Sequence, residues 1–210
     1  YSSFFSGNKS KFGFFQTEAD TFRTIADELG LIRLSGEEEP LRYCRHPLVF
    51  LVEAADDICY QMMDIEDAYK LKILTREETI SLLTPFIEEH KRGHLTEVLG
   101  MVTDHNEQIA YLRSKVIGIL IDECADAFMC HEEEILNGTF SEPLVKYTSE
   151  RCRQAYKHCS EVAVKKIYRS RDVLDVELAG FRIINTLIDL MVDAVTHPEK
   201  EYSRLLTDRV

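Results

Sequence analysis

Residues 45–74 read RHPLVFLVEAADDICYQMMDIEDAYKLKIL. His46-Pro47 marks a helix entry, because proline at the first helical position gives up no N–H that the helix needs. No glycine or proline follows until Pro85, so the stretch predicts one helix of about seven turns. Leu51, Val52, Ala55, Ile58, Cys59, Met62 and Met63 recur at helical spacing and predict its buried face. Glu53, Asp56, Asp57, Tyr60, Asp64 and Asp67 occupy the rest. Glu53/Asp57 and Asp64/Asp67 are like-charge pairs at i,i+4 and i,i+3, each costing a bare helix roughly 0.2–0.5 kcal/mol. So much acid on one helix needs an offset, and a bound cation is one. On this phase Asp56 lies at the edge of the apolar stripe, where a carboxylate needs a partner or a metal. Asp57 falls on the open side. Tyr60 and Asp64 follow Asp56 at i+4 and i+8, about 12 Å along the axis, a length that suits an extended ligand.

The string RHPLVFLVEAADDICYQMMDIEDA resembles the deoxyguanosinetriphosphate triphosphohydrolases, a branch of the HD phosphohydrolase superfamily. The likeness extends upstream through KFGFFQTE and downstream through the following helices. It implies an all-α, HD-domain-like bundle. It implies hydrolysis of deoxynucleoside triphosphates to the deoxynucleoside and triphosphate by water attack at the α-phosphorus. It also implies a divalent metal, Mg²⁺ or Mn²⁺, held by a His, a His-Asp pair and a later Asp. By resemblance Asp56 is the later Asp, Tyr60 contacts phosphate or sugar, and Asp64 receives the deoxyribose 3′-hydroxyl. Lys11, near Gly13, is the expected phosphate contact from the N-terminal segment, with a solvated loop as the other reading. The departure is that His-Asp occurs nowhere among the seven histidines. Residues 1–210 are therefore expected to form the C-terminal part of one such domain, with one metal ligand of four and no tightly held metal of their own. The likeness implies a homo-oligomer; a non-catalytic helical assembly module or a nucleotide-binding regulator is the alternative.

Composition limits the classes. The chain has 45% hydrophobic and 30% charged residues, ordinary for a globular domain, and no apolar run long enough to cross a membrane. The net charge of −12 disfavours nucleic acid or a membrane surface as partner. Single-stranded nucleic acid is left to the basic run Arg151, Arg153, Lys157, Lys165, Lys166, Arg169 and Arg171, whose other reading is a solvated face. It also means that a triphosphate would need local positive charge. Six cysteines without a CxxC spacing read as reduced thiols of a cytoplasmic protein, with Cys59 and Cys124 as small core residues.

Elsewhere, Thr17 and Asp20 predict a helix start, Gly30 its end, and Phe22, Ile25, Ala26 and Leu29 its buried face. LIRLSGEEEPLRY leaves room for one short β-hairpin. Thr75 to Glu78, TREE, is a capping box. His90 and His94 stand at i,i+4, but without an HExxH pattern they read as a basic helix end. A further helix runs from Asp104 or Asn106 to about Leu136, Asn137-Gly138-Thr139 is a turn, 147–170 is helical, and a last helix spans 173–196 before Pro198.

Overall fold

The computed structural model describes residues 14–36, 39, 41–200 and 203. Lys11, and the upstream likeness through residue 13, lie outside them. Among the described residues the fold is all-α: α1 (Ala19–Glu28), α2 (Pro47–Lys70), α3 (Arg76–Leu83), α4 (Arg92–Met101), α5 (His105–Cys130), α6 (Glu132–Leu136), α7 (Glu150–Val162) and α8 (Arg171–Thr196), with short 3₁₀ turns elsewhere and one π-helical turn between α7 and α8. The hairpin reduces to a single antiparallel bridge, Arg33 with Tyr43. Glu37, Glu38 and Pro40 lie outside the described residues.

The core forms where α2 crosses α5. Phe50, Ile58, Met62 and Ile65 of α2 meet Leu112, Val116 and Leu120 of α5, all at most 2% exposed. α3, the turn Thr84–Phe86 and α7 close the other sides. The ends of α2 follow from its sequence. Pro47 opens it, and His46 Nδ1 accepts from Leu48 N at 3.2 Å. It stops at Lys72, a non-glycine residue with φ +59°, in the left-handed region that ends many helices. Glu78 N donates to Thr75 Oγ1 at 3.2 Å and Thr75 N to Glu78 Oε2 at 2.9 Å, which is the reciprocal box that TREE predicts. Gly138, at φ +70°, makes the predicted turn; a Cβ there would stand 2.4 Å from Cys44 Sγ, so two features demand glycine.

Several expectations are corrected. The buried stripe of α2 is Phe50, Ala54, Ile58, Met62, Ile65 and Ala68, turned from the predicted one. Leu51, Val52, Ala55, Cys59 and Met63 are exposed. The helix carries two apolar strips, and the one with Phe50 and Ile65 is the one that α5 covers. In α1 only Ala26 is fully buried, while Ile25 and Leu29 are exposed. Glu18 instead closes the 3₁₀ turn Gln16–Glu18 that leads into α1, accepting from Phe15 N at 2.8 Å, and Asp20 pairs with Arg23 at 2.5 Å. α4, which has Gly93 and Gly100 inside it, was not predicted; it is seated by Leu95 and Leu99. The helix expected to reach Leu136 breaks at His131. α8 has the expected length, but its apolar residues from Leu174 to Val195 are largely exposed.

Candidate functional site

The site is the open side of α2. Arg45, just before the helix, pairs with Glu53 and lies 4.9 Å over the Phe50 ring, which ties the entry loop to the first turns. At about 100° per residue, Asp56 lies opposite the buried stripe, Tyr60 about 40° further round, and Asp64 another 40° on, at the edge of the core. Asp56 is exposed, Tyr60 is 66% exposed, and Asp64 is half-buried. The predicted line of three along one side of the helix is thus present. The expected contrast between the two adjacent acids is reversed: Asp57 is half-buried and Asp56 faces outward. The rotated stripe is the cause. It brings Asp57 to the core edge beside α7, where Tyr156 Oη donates to the Asp57 carbonyl at 3.0 Å. Burial first, and the Asp57 charge next, push the Tyr156 phenol up.

α7 runs along this edge and makes further contacts with it. Ser160 Oγ donates to Gln61 Oε1 at 2.7 Å. Beyond α7 a π-helical turn, Ala163–Ile167, leads to Tyr168, whose hydroxyl donates to Asp64 Oδ2. Burial, and then that hydrogen bond, push the Tyr168 phenol up to about 12, so it keeps its proton and donates. Nothing local in the sequence marks Tyr168, which lies 104 residues from its partner. Glu66 was also missed. It is 5% exposed and pairs with Arg113 of α5 at 2.6 Å and Lys70 at 2.9 Å. A buried carboxylate needs such partners; Lys70 lies on α2 itself, and Arg113 ties α2 to α5.

Positive charge near α2 is largely engaged. Arg45 holds Glu53, Arg113 holds Glu66, and Lys166 holds Glu78 at 2.5 Å. The basic run is likewise paired at Arg151 with Glu123 and Arg153 with Glu150. A groove of about 370 Å³ lies along α5, lined by Tyr111, Lys115, Gly118 and Asp122 among others, but none of the three α2 residues lines it. Among the described residues no group of three His, Cys, Asp or Glu side chains could hold a metal ion; Asp56 alone is not a metal site. His90 and His94 pair singly with Glu88 and Glu97. Cys59 is exposed, against expectation, while Cys124 is buried. Burial pushes the Cys124 and Cys152 thiols up to about 11 and Cys159 to about 12, so none is an activated nucleophile. No described helix is long and apolar enough to cross a membrane.

No family model matches the chain. Relatives are nonetheless clear, and they are named as hydrolases of a nucleoside triphosphate. A deoxyguanosinetriphosphate triphosphohydrolase-like protein of Synechocystis sp. is 33% identical over 186 residues, 89% of this chain and 39% of that protein. One of the same name from Pseudomonas aeruginosa is 29% identical over 186 residues, 89% of this chain and 41% of that protein. The deoxyguanosinetriphosphate triphosphohydrolase of Yersinia enterocolitica is 26% identical, covering 93% of this chain and 39% of that protein. The chain therefore spans about two fifths of the length of the curated relatives it matches. Over that span it belongs to the deoxyguanosinetriphosphate triphosphohydrolase family.

Proposed function

We propose that the whole protein hydrolyses a deoxynucleoside triphosphate, dGTP or a close analogue, to the deoxynucleoside and triphosphate. Residues 1–210 form the C-terminal part of its HD-superfamily domain. The observation that carries this reading is the line Asp56, Tyr60, Asp64 on the open side of α2, in a chain whose relatives bear that activity in their names. In this reading Tyr60 donates a hydrogen bond toward phosphate. A carboxylate only accepts, and Asp64 receives a hydrogen bond from the sugar 3′-hydroxyl. Lys11 is a further phosphate contact. Asp56 is one ligand of a divalent cation, Mg²⁺ or Mn²⁺. No group of three candidate ligands stands together among the described residues, so in this reading further ligands come from elsewhere in the whole protein.

The test is to incubate full-length protein with each dNTP and Mg²⁺ or Mn²⁺ and to assay for triphosphate. Release that is abolished by Asp56→Asn supports the reading. Monophosphate or pyrophosphate as product, or no product with any dNTP, overturns it. A second reading, a helical assembly module without catalysis, is favoured by the exposed apolar surface of α8. A homo-oligomer fits either reading, and light scattering on the full-length protein measures it.

A further inference from the structure

The seam between α7 and α2 keeps step at first. Tyr156 reaches residue 57 and Ser160 reaches residue 61, four residues on along both helices. In an unbroken α-helix Tyr168, twelve residues beyond Tyr156, would stand about 120° round from it. It would then miss α2. The turn Ala163–Ile167 is π-helical instead, closed by Tyr168 N donating to the Ala163 carbonyl at 2.9 Å. Taking one extra residue into a turn removes about 100° of that rotation. Tyr168 thereby returns to the face that carries Tyr156 and Ser160. It arrives a turn late along the axis, and its long side chain, leaning toward the helix N-terminus, covers the difference to Asp64 Oδ2. π-turns cost hydrogen-bond geometry and occur often at functional sites. This one serves a contact on the proposed ligand line.

We infer that Tyr168 is a positioning residue for sugar recognition: its hydroxyl fixes one carboxylate oxygen of Asp64 and leaves the other aimed at the 3′-hydroxyl of the substrate. The inference rests on the proposed role of Asp64 as sugar acceptor. Without the phenol, Asp64 is free to rotate about its side-chain bonds, and the bond to the 3′-hydroxyl must order it anew. The loss therefore falls on substrates that carry a 3′-hydroxyl and spares those that lack it. Tyr168→Phe keeps the ring and removes only the donor.

The experiment compares wild type and Tyr168→Phe in the full-length protein, with dGTP and its 2′,3′-dideoxy analogue. Both kcat/KM and, by calorimetry, Kd are measured. Wild type should prefer the 3′-hydroxyl substrate by about tenfold or more, the scale of a charge-assisted hydrogen bond. Tyr168→Phe should lower that preference about three- to tenfold, through the deoxy substrate alone. An unchanged preference, or an equal loss on both substrates, overturns the inference and leaves the proposed function standing. Binding with the expected preference pattern but without turnover supports the inference and overturns the hydrolase reading. A wild type that ignores the 3′-hydroxyl in rate and affinity removes the sugar role of Asp64 and this inference with it. A protein that binds no nucleotide overturns both.

Discussion

Two adjacent carboxylates, one helical step of about 100° apart, stand in different surroundings. Asp57 sits at the core edge beside Tyr156, and Asp56 is in the open. Asp56→Asn should therefore leave folding stability within about 0.5 kcal/mol of wild type, as surface substitutions do. In the full-length protein it should remove Mn²⁺ binding and triphosphate release together. Denaturant melts and calorimetry check the two halves separately. On the proposed role of Asp64, Asp64→Asn should lower kcat/KM on deoxy substrates about tenfold while leaving Mn²⁺ affinity near wild type, because one charge-assisted hydrogen bond would be lost. Arg113 is a different case. Its guanidinium holds a carboxylate that is only 5% exposed. Removing one partner of a buried pair leaves an uncompensated charge. Arg113→Ala should cost about 3 kcal/mol, the low end of that range, since Lys70 still reaches Glu66. A chemical melt that moves by less than about 0.5 kcal/mol would show that Glu66 is satisfied without it.

At the scale of elements, α7 begins on a carboxylate borrowed from α5. Glu123 accepts from Ser149 N at 2.6 Å, Ser149 Oγ at 2.8 Å and Cys152 Sγ at 3.1 Å, and pairs with Arg151. Burial acts to raise the Glu123 carboxyl, and the hydrogen bonds from Cys152 and Ser149 with the Arg151 charge outweigh it, so the net direction is down from 4.5. A carboxyl lowered in the fold contributes stability above its unfolded value and loses it as pH falls through the folded one. The Glu123 contribution is therefore whole above about pH 4.5 and fades below it. Glu123→Gln should be destabilising at pH 7 and progressively less so as the pH drops below that point. A difference between the two proteins that stays constant from pH 7 to 3 would refute this.

How much of the elements was legible depended on whether a local residue marks the feature. His46-Pro47, the unbroken run after it, and TREE carry their own chemistry, so α2 and the start of α3 were readable. The phase of α2 was not, because Phe50-Ala54-Ile58-Met62-Ile65 and Leu51-Val52-Ala55-Cys59-Met63 are both apolar strips. Only the presence of α5 chooses between them. α4 was hidden by Gly93 and Gly100, which lower helix propensity by about 1 kcal/mol each and are outweighed by burial of Leu95 and Leu99. The alignment of Asp56, Tyr60 and Asp64 along one side of α2 was readable, since i, i+4, i+8 spacing holds on either phase. Tyr168 was not, because its place depends on an extra residue in one turn and a partner on a distant helix.

At the scale of the whole molecule, α8 is the outlier. Twelve of its large apolar side chains are more than two fifths exposed, among them Phe181, Ile184, Leu187 and Met191. From Phe181 to Thr196, at about 100° per residue, its polar residues Arg182, Asn185, Thr186, Asp189, Asp193 and Thr196 cover an arc of only about 100°, with Glu177 of the first turns outside it. A broad apolar face on the rest is the pattern of a helix meant to be covered on more than one side. Continuous apolar surface of this kind associates in water. The 210-residue chain, prepared alone, should bind an environment-sensitive apolar dye and self-associate at micromolar concentration. Ile184→Glu combined with Leu187→Glu places two charges within one turn of the arc. Neither residue is buried in the fold, so helix content by circular dichroism should stay near that of the parent while dye binding and association both fall several-fold. Sedimentation and dye titration of the two chains side by side measure this. Loss of helix in the double variant would show that these side chains are packed after all. A parent chain that stays monomeric and binds no dye would show the arc to be covered within the chain.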